Sequence, residues 1–320
     1  MRTLFVFFFI LISCSKSDNL SFDKQSFDYD SYLKEILNES GTLYEGQRSY
    51  TLKHNGLERE YTLYVPPNIQ VRKNLPVIFN FHGFQGYANS FLNWSGLKRI
   101  ADQNEVLLVY PQGSPLEGGP SHWNAAPLNS SSQSFINKSS IDDLDFFLKL
   151  FDQINQNNII DLNRVYAIGY SNGGMFSHYL ACNTDNIFAA IGDVSGTILT
   201  DTYNNCNPSN PISILKIHGT NDNIVGYNGF SNGGFKSVNE VIELWKSKNE
   251  SNENAIFVDL GQKSGLNVVF EKYTYKSDKN STEIVHYKMI RGGHWWDFTD
   301  DNDFKTSSLI WEFFSQHSKY

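Results

Sequence analysis

From about Arg48 onward, short dense apolar runs alternate with stretches whose apolar residues recur every three to four positions. The opening is a hairpin pattern: one strand from about Ser49 to Lys53, a His54-Asn55-Gly56 turn, and a second strand over Arg59–Val65. Asn-Gly between alternating runs supplies the positive φ angles that a tight hairpin turn requires. Five later runs, Pro76–Phe81, Val106–Tyr110, Val165–Tyr170, Phe188–Val194 and Ile212–Ile217, are apolar on both faces. That is the signature of buried parallel strands. Between them, Leu144, Phe147, Leu148, Phe151 and Ile154 share one helical face, as do Val238, Val241, Ile242 and Trp245. Phe270–Tyr275 with Glu283–Ile290 adds an antiparallel step or a last strand. A closing helix over Thr306–Gln316 turns Leu309, Ile310, Phe313 and Phe314 inward. Strand and helix in alternation predict an α/β fold, with a mostly parallel central sheet and helices on both faces. No second linker interrupts the pattern, so residues 48–320 form one domain.

The N-terminal segment is different in kind. Arg2 is the only charge before a nine-residue apolar run, Leu4 to Ile12. Such a run is too short to cross a bilayer as a helix and long enough for the core of an export signal. Leu11-Ile12-Ser13-Cys14 resembles the lipobox of bacterial lipoproteins, which implies removal of residues 1–13 and lipidation of Cys14. Residues 14–47 are polar and read as a tether, with one helical turn near Tyr32–Leu37. Cys182 and Cys206 are then the remaining cysteines of an exported chain, and a disulfide between them is the natural pairing.

Composition narrows the function classes. Of 320 residues, 40% are hydrophobic and 19% charged, enough apolar surface for a substantial core. The formal charge of -8 disfavours a nucleic-acid partner, which a basic stripe would serve. No cysteine and histidine set has zinc spacing, and no glycine-rich loop carries a phosphate-binding lysine. The chemistry below needs neither metal nor organic cofactor. Asp142 and Asp143, and the cluster Asp297, Asp300, Asp301 and Asp303, precede helices, where carboxylates are electrostatically favoured.

Gly169-Tyr170-Ser171-Asn172-Gly173 lies between a strand pattern, Val165–Ile168, and a helix pattern beginning at Met175. Strand, tight turn and helix make the setting of a nucleophile elbow, with glycines where strand and helix pass too close for a side chain. A serine hydroxyl needs a base to take its proton. His294, just past the Glu283–Ile290 run, is the best placed of the later histidines. His54, His178, His286 and His317 lie in a turn, a helix, a strand and the C-terminal tail. Asp222, after the Ile212–Ile217 strand, is the expected acid to orient the imidazole, with Asp193 and Asp201 as rivals. The oxyanion hole draws one N–H from Asn172 and a second from the loop after Phe81, assigned to Phe84 with Gly83 as alternative. His82 is assigned to bracing that loop.

Taken together, Phe81-His82-Gly83-Phe84, Trp123-Asn124-Ala125, Ile141-Asp142-Asp143, Arg164–Met175, Leu180-Ala181-Cys182, Phe188-Ala189-Ala190, His218–Asp222 and Gly292-Gly293-His294 resemble the polyhydroxybutyrate depolymerase/feruloyl esterase-like family. The resemblance covers about residues 48–320. It implies an α/β-hydrolase fold, a secreted serine esterase with Ser171, Asp222 and His294 as triad, and support for the Cys182–Cys206 bridge. Trp295-Trp296-Asp297 and Gly226 depart from the family's Trp-Pro-Gly and proline, which bears on the shape of the substrate rim. Trp123, Tyr170, Tyr227, Trp295 and Trp296 are the candidate rim aromatics, suited to a sugar or a phenolic acyl group. The expected substrates are feruloyl or acetyl esters of plant polysaccharide, then hydroxyalkanoate esters. The competing classes are a serine peptidase of the same fold and a non-catalytic surface glycan-binding lipoprotein.

Overall fold

The computed structural model describes residues 43–67, 69, 74–116, 119–128, 139–156, 159–230, 234–263, 267–297 and 304–319. The export segment 1–13, Cys14, the tether up to residue 42, and Asp300, Asp301 and Asp303 lie outside the described residues.

Twelve strands are present among the described residues: β1 Gly46–His54, β2 Leu57–Val65, β3 Leu75–Phe81, β4 Leu107–Pro111, β5 Ser114–Pro115, β6 Ser121–His122, β7 Ile160–Tyr170, β8 Ala190–Val194, β9 Ser213–Gly219, β10 Ile256–Gln262, β11 Val269–Lys276 and β12 Glu283–Ile290. Ten of them form one sheet in the order β1-β2-β4-β3-β7-β8-β9-β12-β11-β10, and β5 pairs with β6 alone. The six central strands, β4 to β12 in that order, are parallel. An antiparallel hairpin closes each side, β1-β2 at one edge and β11-β10 at the other.

The first hairpin turns at Asn55 (φ 47°) and Gly56 (φ 79°), both in the left-handed region that this turn demands. The folded unit begins earlier than Arg48: Leu43 is buried and β1 starts at Gly46, so Gln47 lies in the sheet, not the tether. Both readings of Glu283–Ile290 hold. It is the last parallel strand, beside β9, and also the antiparallel partner of β11. The edge strand β10 was not expected. Its Ile256, Phe257 and Val258 are exposed, so no buried face marks it by alternation.

All seven residues of β3 are buried, because helices cover both sides of the sheet. Val77, Phe79 and Phe81 enter one core layer and Ile78 the other, as period-two alternation requires. The first layer packs α3 (Asp143–Asn155), α4 (Asn172–Asn183) and α6 (Val238–Asn249). The second packs α1 (Ala88–Trp94), α2 (Leu97–Asn104) and α7 (Thr306–Phe314). A short helix, α5, spans Thr200–Asn205. In α3 the buried stripe is Phe146, Phe147, Leu150 and Ile154, rotated from the predicted face, with Leu144, Leu148 and Phe151 only partly covered. Asp142 caps α3 through the Asp145 N–H, while Asp143 is buried and bonds Arg59 at 2.8 Å and the Asn124 N–H at 2.8 Å. Cys182 near the end of α4 and Cys206 after α5 are disulfide-bonded.

Candidate active site

Ser171 sits where β7 turns into α4, with φ 55° and ψ -119°, a strained backbone for a residue with a side chain. Its N–H donates to the Val194 carbonyl at 2.8 Å, and its carbonyl accepts from Met175 at 3.1 Å. The flanking glycines are steric necessities. A Cβ on Gly169 would land on the Gly173 carbonyl, and one on Gly173 on the Phe81 carbonyl. The turn thus presses β7, β3 and α4 together and leaves the hydroxyl at the C-terminal end of the sheet. The same turn places Asn172 in the first turn of α4, where backbone N–H groups lack helical partners and favour negative charge.

The acid and base come from neighbouring loops. Asp222 follows β9 and His294 follows β12, and those strands are adjacent. Their loops are bonded to each other: Thr220 N–H to Met289 O at 2.9 Å, Asn221 N–H to Gly292 O at 2.8 Å, and Arg291 N–H to Thr220 Oγ1 at 2.9 Å. His294 Nδ1 lies 2.7 Å from Asp222 Oδ2. Asp222 Oδ1 accepts from the Ile224 and Val225 N–H groups at 2.8 Å each. Burial alone would raise this carboxyl, but hydrogen bonds from His218, His294 and the Val225 N–H outweigh it and hold the group well below the usual carboxylate range. With Nδ1 donating to a carboxylate, His294 Nε2 is left as the acceptor.

The imidazole stands beside the elbow. The Tyr170 ring, one residue before Ser171, is 5.1 Å from the His294 ring, and its hydroxyl donates to the His294 carbonyl at 2.8 Å. Burial, then the Asp222 charge, pushes the Tyr170 phenol up to about 12, so it remains a donor at any working pH. Among the described residues the Ser171 hydroxyl makes no hydrogen bond, to His294 or to any other group. Contacts of this kind are often long before substrate binds.

The rivals for the acid are elsewhere. Asp193 gives Oδ1 to the Gly196 N–H and Oδ2 to His178 and Lys216. Asp201 lies in α5. Across from the serine, the loop after β3 runs close: a Cβ on Gly83 would be 3.3 Å from Ser171 Cβ. His82 braces that loop, its Nδ1 donating to Gly83 O at 2.7 Å and its Nε2 accepting from the Gly113 N–H at 2.9 Å. Phe84 follows with its ring exposed.

The candidate rim aromatics divide. Trp123 is fully buried, stacked on Phe176 at 5.0 Å, with its indole N–H donated to His82 O at 3.0 Å. Trp296 is buried against Phe91, its N–H donated to Ser95 O at 3.0 Å. Neither lines a rim, a correction to the expectation; each anchors a site loop to the core. Tyr227 lies behind the acid and its hydroxyl is 2.9 Å from His286 Nε2. Trp295 is exposed and Tyr170 half-buried. Sequence reasoning missed Trp94 of α1, which is 47% exposed with its ring 6.0 Å from that of Tyr170. An isolated tryptophan beside a buried Phe91 gives no sequence signal of which side it faces.

The esterase PHB depolymerase family model matches residues 59–216, which include the elbow and end before Asp222 and His294. Over those residues the chain is similar to that esterase family. A bifunctional acetylxylan esterase/xylanase from Neocallimastix patriciarum is 26% identical over 273 residues, 82% of this chain and 34% of the relative. A probable feruloyl esterase C from Aspergillus oryzae is 31% identical over 182 residues, 55% of this chain and 59% of the relative. The chain spans only about a third of the length of the first curated relatives it matches. Among solved structures, an acetyl xylan esterase from Aspergillus awamori superposes with TM-score 0.57 at 15% identity, covering 84% of this chain and 99% of that one. A ferulic acid esterase from Anaeromyces mucronatus superposes with TM-score 0.51 at 14% identity, covering 82% and 88%. The fold is accordingly that of the α/β-hydrolases.

Proposed function

We propose that this protein is a carboxylic-ester hydrolase in which Ser171 is the nucleophile, His294 the general base and acid, and Asp222 the group that orients His294. The observation that carries the reading is the 2.7 Å Asp222–His294 pair, set beside a strained serine at a strand-to-helix turn. The carboxylate fixes the proton on Nδ1 and leaves Nε2 unprotonated, the tautomer that can accept the hydroxyl proton. Ser171 attacks the ester carbonyl and forms a tetrahedral intermediate. Its oxyanion receives the N–H groups of Asn172 and Phe84, each worth ~100- to 1000-fold in turnover. His294 returns the proton to the leaving alcohol, and water repeats the cycle to release the acid.

Feruloyl or acetyl esters of plant polysaccharide are the proposed substrates, with hydroxyalkanoate esters next, since the relatives named above are acetylxylan and feruloyl esterases. Exposed Trp94, its ring 6.0 Å from that of Tyr170, and exposed Trp295, next to His294 in the chain, would suit a sugar or phenolic ring. We also propose export with a lipid on Cys14, in keeping with the Cys182–Cys206 disulfide, a bond of oxidising compartments. A fluorophosphonate probe should label the protein and fail to label Ser171→Ala, with hydrolysis falling about 10⁴-fold or more. Labelling that survives the substitution would sink the nucleophile assignment. Methyl ferulate, acetylated xylan and hydroxybutyrate oligomers would rank the substrates, and preference for aminoacyl amides would overturn the esterase reading. Cys14→Ala should move the protein from the membrane to the soluble fraction.

A further inference from the structure

Beneath the site runs a line of buried polar groups for which the ester chemistry has no direct use. Lys216, in the middle of β9, is fully buried between apolar neighbours Leu215 and Ile217. An unpaired ammonium there would be costly, and the structure pairs it completely. Its Nζ is 3.0 Å from Asp193 Oδ2, donates to Gly196 O at 3.0 Å, and meets His218 Nδ1 at 2.7 Å. Three hydrogens thus find three acceptors. Asp193, on β8, is also 3.1 Å from His178 Nε2 of α4, and His178 Nδ1 accepts from the Trp245 indole of α6 at 3.1 Å. On the β12 side, His286 Nδ1 donates to the Lys216 carbonyl at 3.1 Å, with Tyr227 on its other nitrogen.

The line ends at the acid. His218 Nε2 is 2.8 Å from Val225 O and 3.2 Å from Asp222 Oδ2, the same oxygen that faces His294. Two independent constraints fix the His218 proton. An ammonium can only donate, so Nδ1 must accept. A carbonyl and a carboxylate can only accept, so Nε2 must carry the hydrogen. Both constraints give the same tautomer. Burial, with the Lys216 charge beside it, also pushes the His218 pKa down, which keeps the ring neutral.

We propose that Lys216 and His218 are positioning residues for the acid: Lys216 locks His218 as its Nε2–H tautomer, and His218 then holds Asp222 Oδ2 where His294 meets it. The proposal rests on the triad reading above. Its physical content is that Asp222 is shared between two imidazoles. Losing His218 removes one donor from the carboxylate, and a carboxylate with fewer donors interacts more strongly with the imidazolium form of His294. The acid limb of the pH profile should therefore move up.

The test uses the full chain and nitrophenyl acetate. His218→Phe should lower kcat about 10-fold, leave KM within about twofold, and move the acid limb of kcat/KM up by about half a pH unit. His218→Gln, which retains a donor, should recover most of both changes. Long-range ¹H–¹⁵N spectra of histidine-labelled wild type should show His218 neutral and Nε2-protonated from pH 5 to 8. In Lys216→Met combined with Asp193→Asn, which leaves no unpaired carboxylate, the ring should populate both tautomers. A wild-type Nδ1–H tautomer overturns the proposal, whatever the variants do. So does a His218→Phe enzyme with wild-type kcat and pH profile, or one whose kcat falls with the acid limb unmoved. Failure of the triad reading would show separately, as hydrolysis that survives Ser171→Ala, while the tautomer measurement stands by itself.

Discussion

Tyr170 holds His294 by its main chain: the phenol donates to the His294 carbonyl at 2.8 Å while the two rings lie 5.1 Å apart. The residue before the nucleophile therefore fixes the height of the loop that carries the base. Tyr170→Phe keeps the ring packing and removes this bond alone. A neutral hydrogen bond contributes about 1 kcal/mol, so kcat/KM for a nitrophenyl ester should fall by roughly fivefold. An unchanged value would show that the loop is held by other contacts.

Acid should destabilise the fold in two separate windows. Burial, reinforced by the His122 and Arg59 charges against an opposing Gly83 hydrogen bond, lowers His82 to about 4. Burial likewise lowers His286 to about 3, against the Lys216 carbonyl bond. Both rings are neutral when folded and take up a proton near pH 6.5 when unfolded. The unfolded state thus binds more protons between those values, and stability rises with pH there. Going from pH 7.5 to 5 should cost of order 2 kcal/mol for each ring. Asp193 and Asp222, both depressed, withdraw their contribution only as pH falls below about 4. Urea midpoints across about pH 3–8 would check both windows, and His286→Gln should flatten the upper one.

The Cys182–Cys206 bond closes a loop with a sequence separation of 24. On the chain-entropy model that constraint stabilises by about 3.5 kcal/mol. Paired replacement by serine should lower Tm by roughly 6 °C, seen by differential scanning calorimetry without reductant. A variant melting with the wild type would mean the unfolded chain is not restrained by the link.

Trp94 offers a test of the rim that leaves the reacting groups untouched. Trp94→Ala should lower kcat/KM for methyl ferulate about five- to tenfold, the size of one aromatic contact, and that for an acetyl ester by less than about twofold. Equal losses on both esters would assign Trp94 to packing under Tyr170 instead.

Much of this is legible in the sequence. Asn55-Gly56 announced the hairpin, dense apolar runs announced the parallel strands, and the glycines around Ser171 marked a close approach that the structure places against Gly173 and Phe81. Asp222 and His294 followed from lying just past strand runs. The rest depended on relations that a linear pattern does not carry. Trp123 and Trp296 look like binding aromatics because an indole serves a core and a rim equally well; only their spent N–H groups distinguish the two. Lys216 interrupts an apolar run, a signal that was present, but its partner Asp193 comes from another strand. The exposed strand Ile256–Gln262 has no buried face to impose alternation.

The hydrogen bonds from Thr220, Asn221 and Arg291 make the turns after β9 and β12 a single mechanical piece. Anyone building chimaeras with relatives should therefore transplant residues 219–225 and 290–296 as one cassette. A graft of either half alone inherits mismatched stitching, and its carboxylate and imidazole would drift out of alignment even with every reacting side chain retained.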